Sequence, residues 1–228
     1  MNAGGAPGNA GVAGRAEDGG GIEALSSPQV PDVETIMTAA GLLSHFWTRP
    51  VVEETSIWVE CAELLADTQL RLGTERELLA LVNARDESPE LADEYERLFV
   101  GPGQVPCPPY ESFWREDVPV DIRRTLMGPC TAELKELYGE LELQVATGSC
   151  ELADHVAIEL EALSYALSLE GADDLARRLV DEHLAVFLPR LCRAVGHETE
   201  NAFYRDLAAL TIDWLAAIKA YFALVETG

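Results

Sequence analysis

The stretch Glu94–Tyr95–Glu96–Arg97–Leu98–Phe99–Val100–Gly101–Pro102–Gly103 runs on, after Gln104–Val105–Pro106–Cys107, into Pro108–Pro109–Tyr110–Glu111–Ser112–Phe113–Trp114. Its character changes half-way. Tyr95 and Phe99 stand four residues apart, which puts both rings on one face of a helix. From Gly101 to Pro119 there follow five prolines and two glycines. Proline at that density removes backbone donors and fixes φ, so neither a helix nor a central strand forms. A helix therefore feeds a stiff, irregular loop. Such a loop costs little entropy to order and can present Tyr110, Phe113 and Trp114 as a preformed apolar surface. The plainer alternative is a loop that folds back to close the core.

On both sides of this segment the chain reads as helix after helix. Asp32 can cap a helix running to Trp47 and closed by Pro50, and a second spans 53–72 up to Gly73. Short helices follow over 75–84 and 89–99, the latter with Ser88 as N-cap and Pro89 in its first turn. Beyond the loop, 131–145, 153–169, 172–195 and 200–225 carry helical periodicity. Phe203, Leu207, Leu210, Trp214, Ile218, Tyr221 and Val225 keep 3-or-4 spacing throughout, and Leu152, Val156, Leu160, Leu163 and Leu167 form a similar stripe. Pro189 is expected to kink the penultimate helix. No run alternates with period two and no internal repeat is present. The expected fold is all-α: one helical bundle over residues 31–228, preceded by a Gly/Ala/Pro/Ser-rich tail over 1–30 whose composition predicts disorder.

Forty acidic residues against sixteen basic ones give a formal charge of −24. Such a surface repels nucleic acid and anionic membranes and attracts cationic partners, besides keeping the chain soluble. Lys135 and Lys219 are the only lysines. No uninterrupted apolar run reaches the length of a membrane span, and the N-terminus carries no basic region followed by an apolar one, so the protein is expected to stay in the cytoplasm. Cys61, Cys107, Cys130, Cys150 and Cys192 are scattered and odd in number, without a CxxC pair, which is neither a disulfide framework nor a zinc site.

Signatures of catalysis are missing. There is no glycine-rich phosphate loop, no GxSxG, no HExxH, and no histidine has a glutamate three positions before it as di-iron bundles require. No catalytic residue, metal ligand or cofactor is expected. Arg123–Arg124 lies mid-chain with no apolar run after it and reads as a helix-surface pair. Cys107 reads as an ordinary cysteine of the proline loop.

The string Tyr-x-x-Leu-Phe-x-Gly-Pro, then Pro-Pro-x-Glu-Ser, resembles the hallmark segment of the TorD/DmsD/NarJ family of redox-enzyme maturation chaperones. Three further segments agree in order: Leu126–Met127–Gly128–Pro129 with Tyr138–Gly139, Asp154–His155 with Glu159–Leu160–Glu161, and Glu182–His183–Leu184 with Phe187–Leu188, where the family more often has tryptophan in place of Phe187. The resemblance spans roughly 33–225. It implies an all-helical TorD-like fold and a chaperone that binds the twin-arginine signal peptide, the apo form, or both, of a molybdopterin oxidoreductase catalytic subunit of the DMSO reductase family. The chaperone would assist cofactor insertion and proofread before export, as a monomer or a domain-swapped homodimer. The alternative is a helical assembly protein that reads no signal peptide. The client-binding residues implied are Tyr95, Leu98, Phe99, Gly101, Pro102, Pro109, Tyr110, Glu111, Ser112, Trp114, Asp154, His155 and Glu159. Asp154 is also placed to cap its own helix, and His155 and Glu159 to pair on a helix surface. The Asp154 and Glu159 carboxylates could receive guanidinium groups bidentately.

Overall fold

The computed structural model describes residues 30–50, 61, 64, 88–144 and 152–227. The tail and the helices expected over 53–72 and 75–84 lie outside them, apart from Cys61 and Leu64, both helical. Helix α1 (Val33–Phe46) starts as its sequence predicts, with the Asp32 carboxylate accepting the Thr35 N–H at 2.8 Å. Helix α2 (Ser88–Tyr95) widens into a π-helical turn, Glu96–Val100, and stops at Gly101. Gly101 has φ +104°, and a Cβ there would lie 3.3 Å from the Gly103 nitrogen. Only glycine makes that exit without strain.

After the proline loop come a single helical turn, α3 (Glu111–Trp114), a 3₁₀ turn over Val120–Ile122, and α4 (Pro129–Glu140). Helix α5 (Val156–Ser168) is followed by α6 (Asp173–Arg178), a π-helical turn over Leu179–Leu184 and α7 (Ala185–Glu198), consecutive in the chain. Pro189 lies inside α7 rather than ending it. Its ring denies Ala185 a backbone donor, and the wide turn lies just before that point. Helix α8 (Ala202–Thr227) closes the bundle. Among the described residues there is no strand, only the isolated bridge Tyr110–His155.

The core forms where α1 lies against α5 and α8, and α8 against α7. Gly41 lets α1 approach α5 closely, since a Cβ there would stand 3.3 Å from Ser164 Oγ. Ser44 Oγ donates to the Ala157 carbonyl at 2.8 Å, and Ser164 Oγ to that of Met37 at 3.0 Å. The large aromatics bury their rings and satisfy their polar tips: Trp47 Nε1 donates to Thr211 Oγ1, Trp214 Nε1 to the Ile36 carbonyl, and the Tyr204 hydroxyl to that of Leu91. Phe203, Leu207, Leu210, Trp214 and Ile218 of the expected α8 stripe are all buried, while Val225 at its end is exposed. By length and composition α8 would also suffice to cross a membrane. The burial of that stripe in the bundle accounts for its apolarity.

Candidate functional site

The proline loop is fastened at both ends. The Cys107 N–H donates to the Leu98 carbonyl at 3.0 Å, which folds the loop back onto the π-helical turn that follows α2. At the far end the Glu111 N–H donates to the Asp154 carbonyl at 2.8 Å and the Val156 N–H to that of Pro109 at 2.9 Å, an antiparallel bridge around Tyr110 and His155. The two rings meet edge-on, 5.1 Å between centroids. Trp114 Nε1 reaches back to the Pro108 carbonyl at 2.7 Å. The Pro-Pro-x-Glu-Ser string and the Asp-His string, more than forty residues apart, thus share one backbone junction.

Beneath the junction lies a buried polar cluster. Helix α5 is capped by His155, whose Nδ1 accepts the Ala157 N–H at 3.1 Å, and not by Asp154. Asp154 sits one residue too early and turns its carboxylate to α3, where Oδ2 accepts the Ser112 N–H at 3.1 Å. It caps a different helix from its own. Glu111, fully buried, binds Arg115 through one oxygen and His183 Nδ1 through the other, at 3.0 Å. Arg115 also donates to Asp117 and to the Glu182 carbonyl. The expected surface pair of His155 and Glu159 does not form, because both side chains are buried. Both Glu159 oxygens lack a hydrogen-bond partner. Burial, then the charges of Glu111 and Asp154, hold the Glu159 carboxyl well above the ordinary carboxylate range, and Arg115 only partly offsets them. The same surroundings push up the Tyr138 hydroxyl, which donates to the Ala153 carbonyl, and the Cys130 thiol. Among the described residues no group of His, Cys, Asp and Glu is arranged to hold a metal ion.

Residues 64–193 match the family model described as nitrate reductase delta subunit. The chain belongs to that family. It is 30% identical over 187 residues to the Tat proofreading chaperone DmsD of Salmonella typhi, covering 81% of this chain and 88% of the relative. It is 25% identical over 201 residues to the chaperone protein TorD of Shewanella loihica, covering 84% and 94%. Among solved structures, a redox enzyme maturation protein from Archaeoglobus fulgidus superposes with a TM-score of 0.56 at 21% identity, over 79% of this chain and 93% of the other. That likeness bears on the fold, which is the all-α fold expected.

Within this delta-subunit fold the residues named from the sequence separate by depth. Tyr95, Leu98 and Phe99 are core: Phe99 packs edge-on against Trp47 and Tyr204, and Tyr95 lies 5.0 Å from it. Pro109, Glu111, Ser112, Asp154, His155 and Glu159 are buried around the junction. Gly101, Tyr110 and Trp114 are half-buried and Pro102 is exposed. Arg115 and His183 complete the cluster and were not singled out from the sequence. Arg115 follows Glu111 by four residues, which was a readable signal. His183 stood inside a recognised string without an assigned role.

Proposed function

We propose that the protein is a cytoplasmic chaperone, without catalytic activity, that binds the twin-arginine leader and the apo form of a molybdopterin oxidoreductase catalytic subunit of the DMSO reductase family. Residues 31–228 form the chaperone domain in this reading. The names of its relatives support it: one is a Tat proofreading chaperone and another a chaperone protein. The observation that carries it is the Tyr110–His155 junction, where half-exposed aromatic side chains stand above three buried acidic groups. A twin-arginine leader joins two cations to an apolar stretch, and the junction offers the complement of each. Tyr110, Trp114, Gly101 and Pro102 make the client contacts, while Asp154, Glu111 and Glu159 act from beneath through their field and by holding the loop.

Calorimetric titration with a leader peptide and with its twin-lysine counterpart tests this. Binding that weakens at least tenfold with lysine supports guanidinium recognition, since lysine lacks the planar fork. Equal affinity for both, or none for either, removes the leader from the reading. The description of the matched family as a delta subunit favours a second reading, an assembly factor for an oxidoreductase complex that reads no leader. In that case the mature catalytic subunit binds and the isolated leader does not.

A further inference from the structure

A cationic groove of about 590 Å³ lies between α7 and the segment that follows α3. Arg115, Arg123, Arg124, Arg190 and Arg193 line it against two carboxylates, Glu116 and Glu198. Five arginines against two acids leave a surplus of three positive charges, in a chain whose formal charge is −24. Arg115 is paired with Glu111 and Asp117, and Arg190 with Glu116. Arg123, expected on a helix surface, instead lies just past the 3₁₀ turn and donates to the Val118 and Glu116 carbonyls. Arg124 is also outside any helix, and its guanidinium stands 5.7 Å from the Phe113 ring centre. Neither of these, nor Arg193, has a carboxylate partner among the described residues.

The groove is continuous with the client surface. Trp114 belongs to both: its indole N–H is tied to the Pro108 carbonyl of the proline loop, and with Phe113 it walls the groove. Arg115 likewise lines the groove while binding Glu111 beneath the junction. Regions of opposite sign therefore meet at Trp114, buried acidic groups on one side and surplus cations on the other. An extended polyanion is repelled by the rest of so acidic a chain, so the negative charge that fits here is short. The segment that supplies Arg123 and Arg124 also exposes Val120, Leu126 and Met127. Apolar side chains left in solvent beside arginines and aromatics suit a polypeptide rather than a small ion.

We propose that the groove docks a short acidic segment of the same client polypeptide whose cationic leader lies at the Tyr110–His155 junction. This rests on the leader reading given above. Carboxylates take the planar forks of arginine bidentately, and the change of sign at Trp114 fixes the register of the client along the surface. One chain holding both contacts makes the second binding event intramolecular, which strengthens it without any new contact. At physiological ionic strength charges beyond about 8 Å are screened, so the nearby arginines outweigh the distant acidic surface.

The test is calorimetric titration of the full chain with a leader peptide extended, at one end or the other, by a glycine–serine linker and four glutamates. Matched peptides carry four glutamines instead. One of the two glutamate extensions is expected to bind at least about tenfold more tightly than its glutamine counterpart, and the gain shrinks as salt rises. Elsewhere on this chain added glutamates would weaken binding, so a gain reports the groove. The gain is expected to vanish in the double variant Arg124→Gly, Arg193→Ala, while the unextended leader binds it as it binds wild type. Glycine suits the left-handed φ of +57° at position 124, and circular dichroism checks that the variant is folded. With the leader bound, the absence of a glutamate gain, or a gain that survives the double variant, overturns this proposal and leaves the leader reading standing. If the unextended leader does not bind, the leader reading falls and the glutamate peptide alone decides the groove. Binding that the double variant abolishes then supports an acidic partner segment, and no binding overturns it. Light scattering adds the last arm: a wild-type dimer that the double variant dissociates would give the groove to a second copy of the chain and overturn the proposal.

Discussion

The Glu111 carboxylate and the His183 imidazole lie 3.0 Å apart, both buried, and tie the end of the proline loop to the wide turn that precedes α7. The link spans 72 residues of chain, and Arg115 shares the same carboxylate. Glu111→Gln keeps the shape and removes the charge from both contacts. Hydrogen bonds to charged groups contribute about 1.5–3 kcal/mol each, and burial makes an unmatched partner expensive, so unfolding in urea should show a loss of about 2 kcal/mol with an unchanged slope.

Asp154 separates capping from recognition. Asn can still accept the Ser112 N–H, and Asp154 Oδ1 has no hydrogen-bond partner to lose. Asp154→Asn should therefore change folding stability by less than about 1 kcal/mol, because Asn caps about as well as Asp. Asp154→Ala leaves the Ser112 N–H buried and unpaired and should cost about 1–2 kcal/mol. If the carboxylate contributes to leader binding, Asp154→Asn weakens that binding about tenfold or more in calorimetry.

Glu159 gives a pH signature. Its folded pKa lies above the unfolded value, so the folded state holds a proton that the unfolded state releases first. Its contribution is full below the unfolded pKa, near 4.5, and is lost progressively as pH rises from there through the folded value. Glu159→Gln has no proton to lose. Its melting temperature should match that of wild type near the acid end of this window and exceed it increasingly toward alkaline pH. A constant difference across the window would mean that the side chain does not titrate in the folded protein.

Tyr110→Ala and Trp114→Ala test the client surface. Both side chains are half-buried, so each truncation loses only part of a core side chain's packing. Client affinity should fall by more than stability, measured as a fold-change in Kd beside the shift in urea midpoint. A collapse of stability with client affinity retained would make the loop a core closure only.

Much of the fold was legible because it rests on local chemistry. The Asp32 cap, the stop at Gly101 and the α8 stripe each depend on residues within a few positions of one another. The site was legible only in outline. Asp154 and Ser112 are 42 residues apart, and a carboxylate that could cap its own helix is identical in sequence to one that caps a neighbour. The rings of Tyr95 and Phe99 share a helix face, but whether that face meets the client or the core depends on Trp47 and Tyr204. Arg115, Arg123 and Arg124 meet Arg190 and Arg193 in one groove assembled from α3, the segment after it, and α7, and no short window of sequence contains both halves.

Cys107 is fully buried in the proline loop, where burial first, then the neighbouring acidic groups, push its thiol up to about 12; Cys130 and Cys192 are buried and raised further. A thiol reacts as its thiolate, so at neutral pH these sulfurs behave as hydrocarbon. A protein that handles oxidoreductases thus keeps this part of its own sulfur out of electron traffic. Oxidised glutathione or a maleimide dye should leave all three untouched in the folded state, and their labelling would time the opening of the bundle.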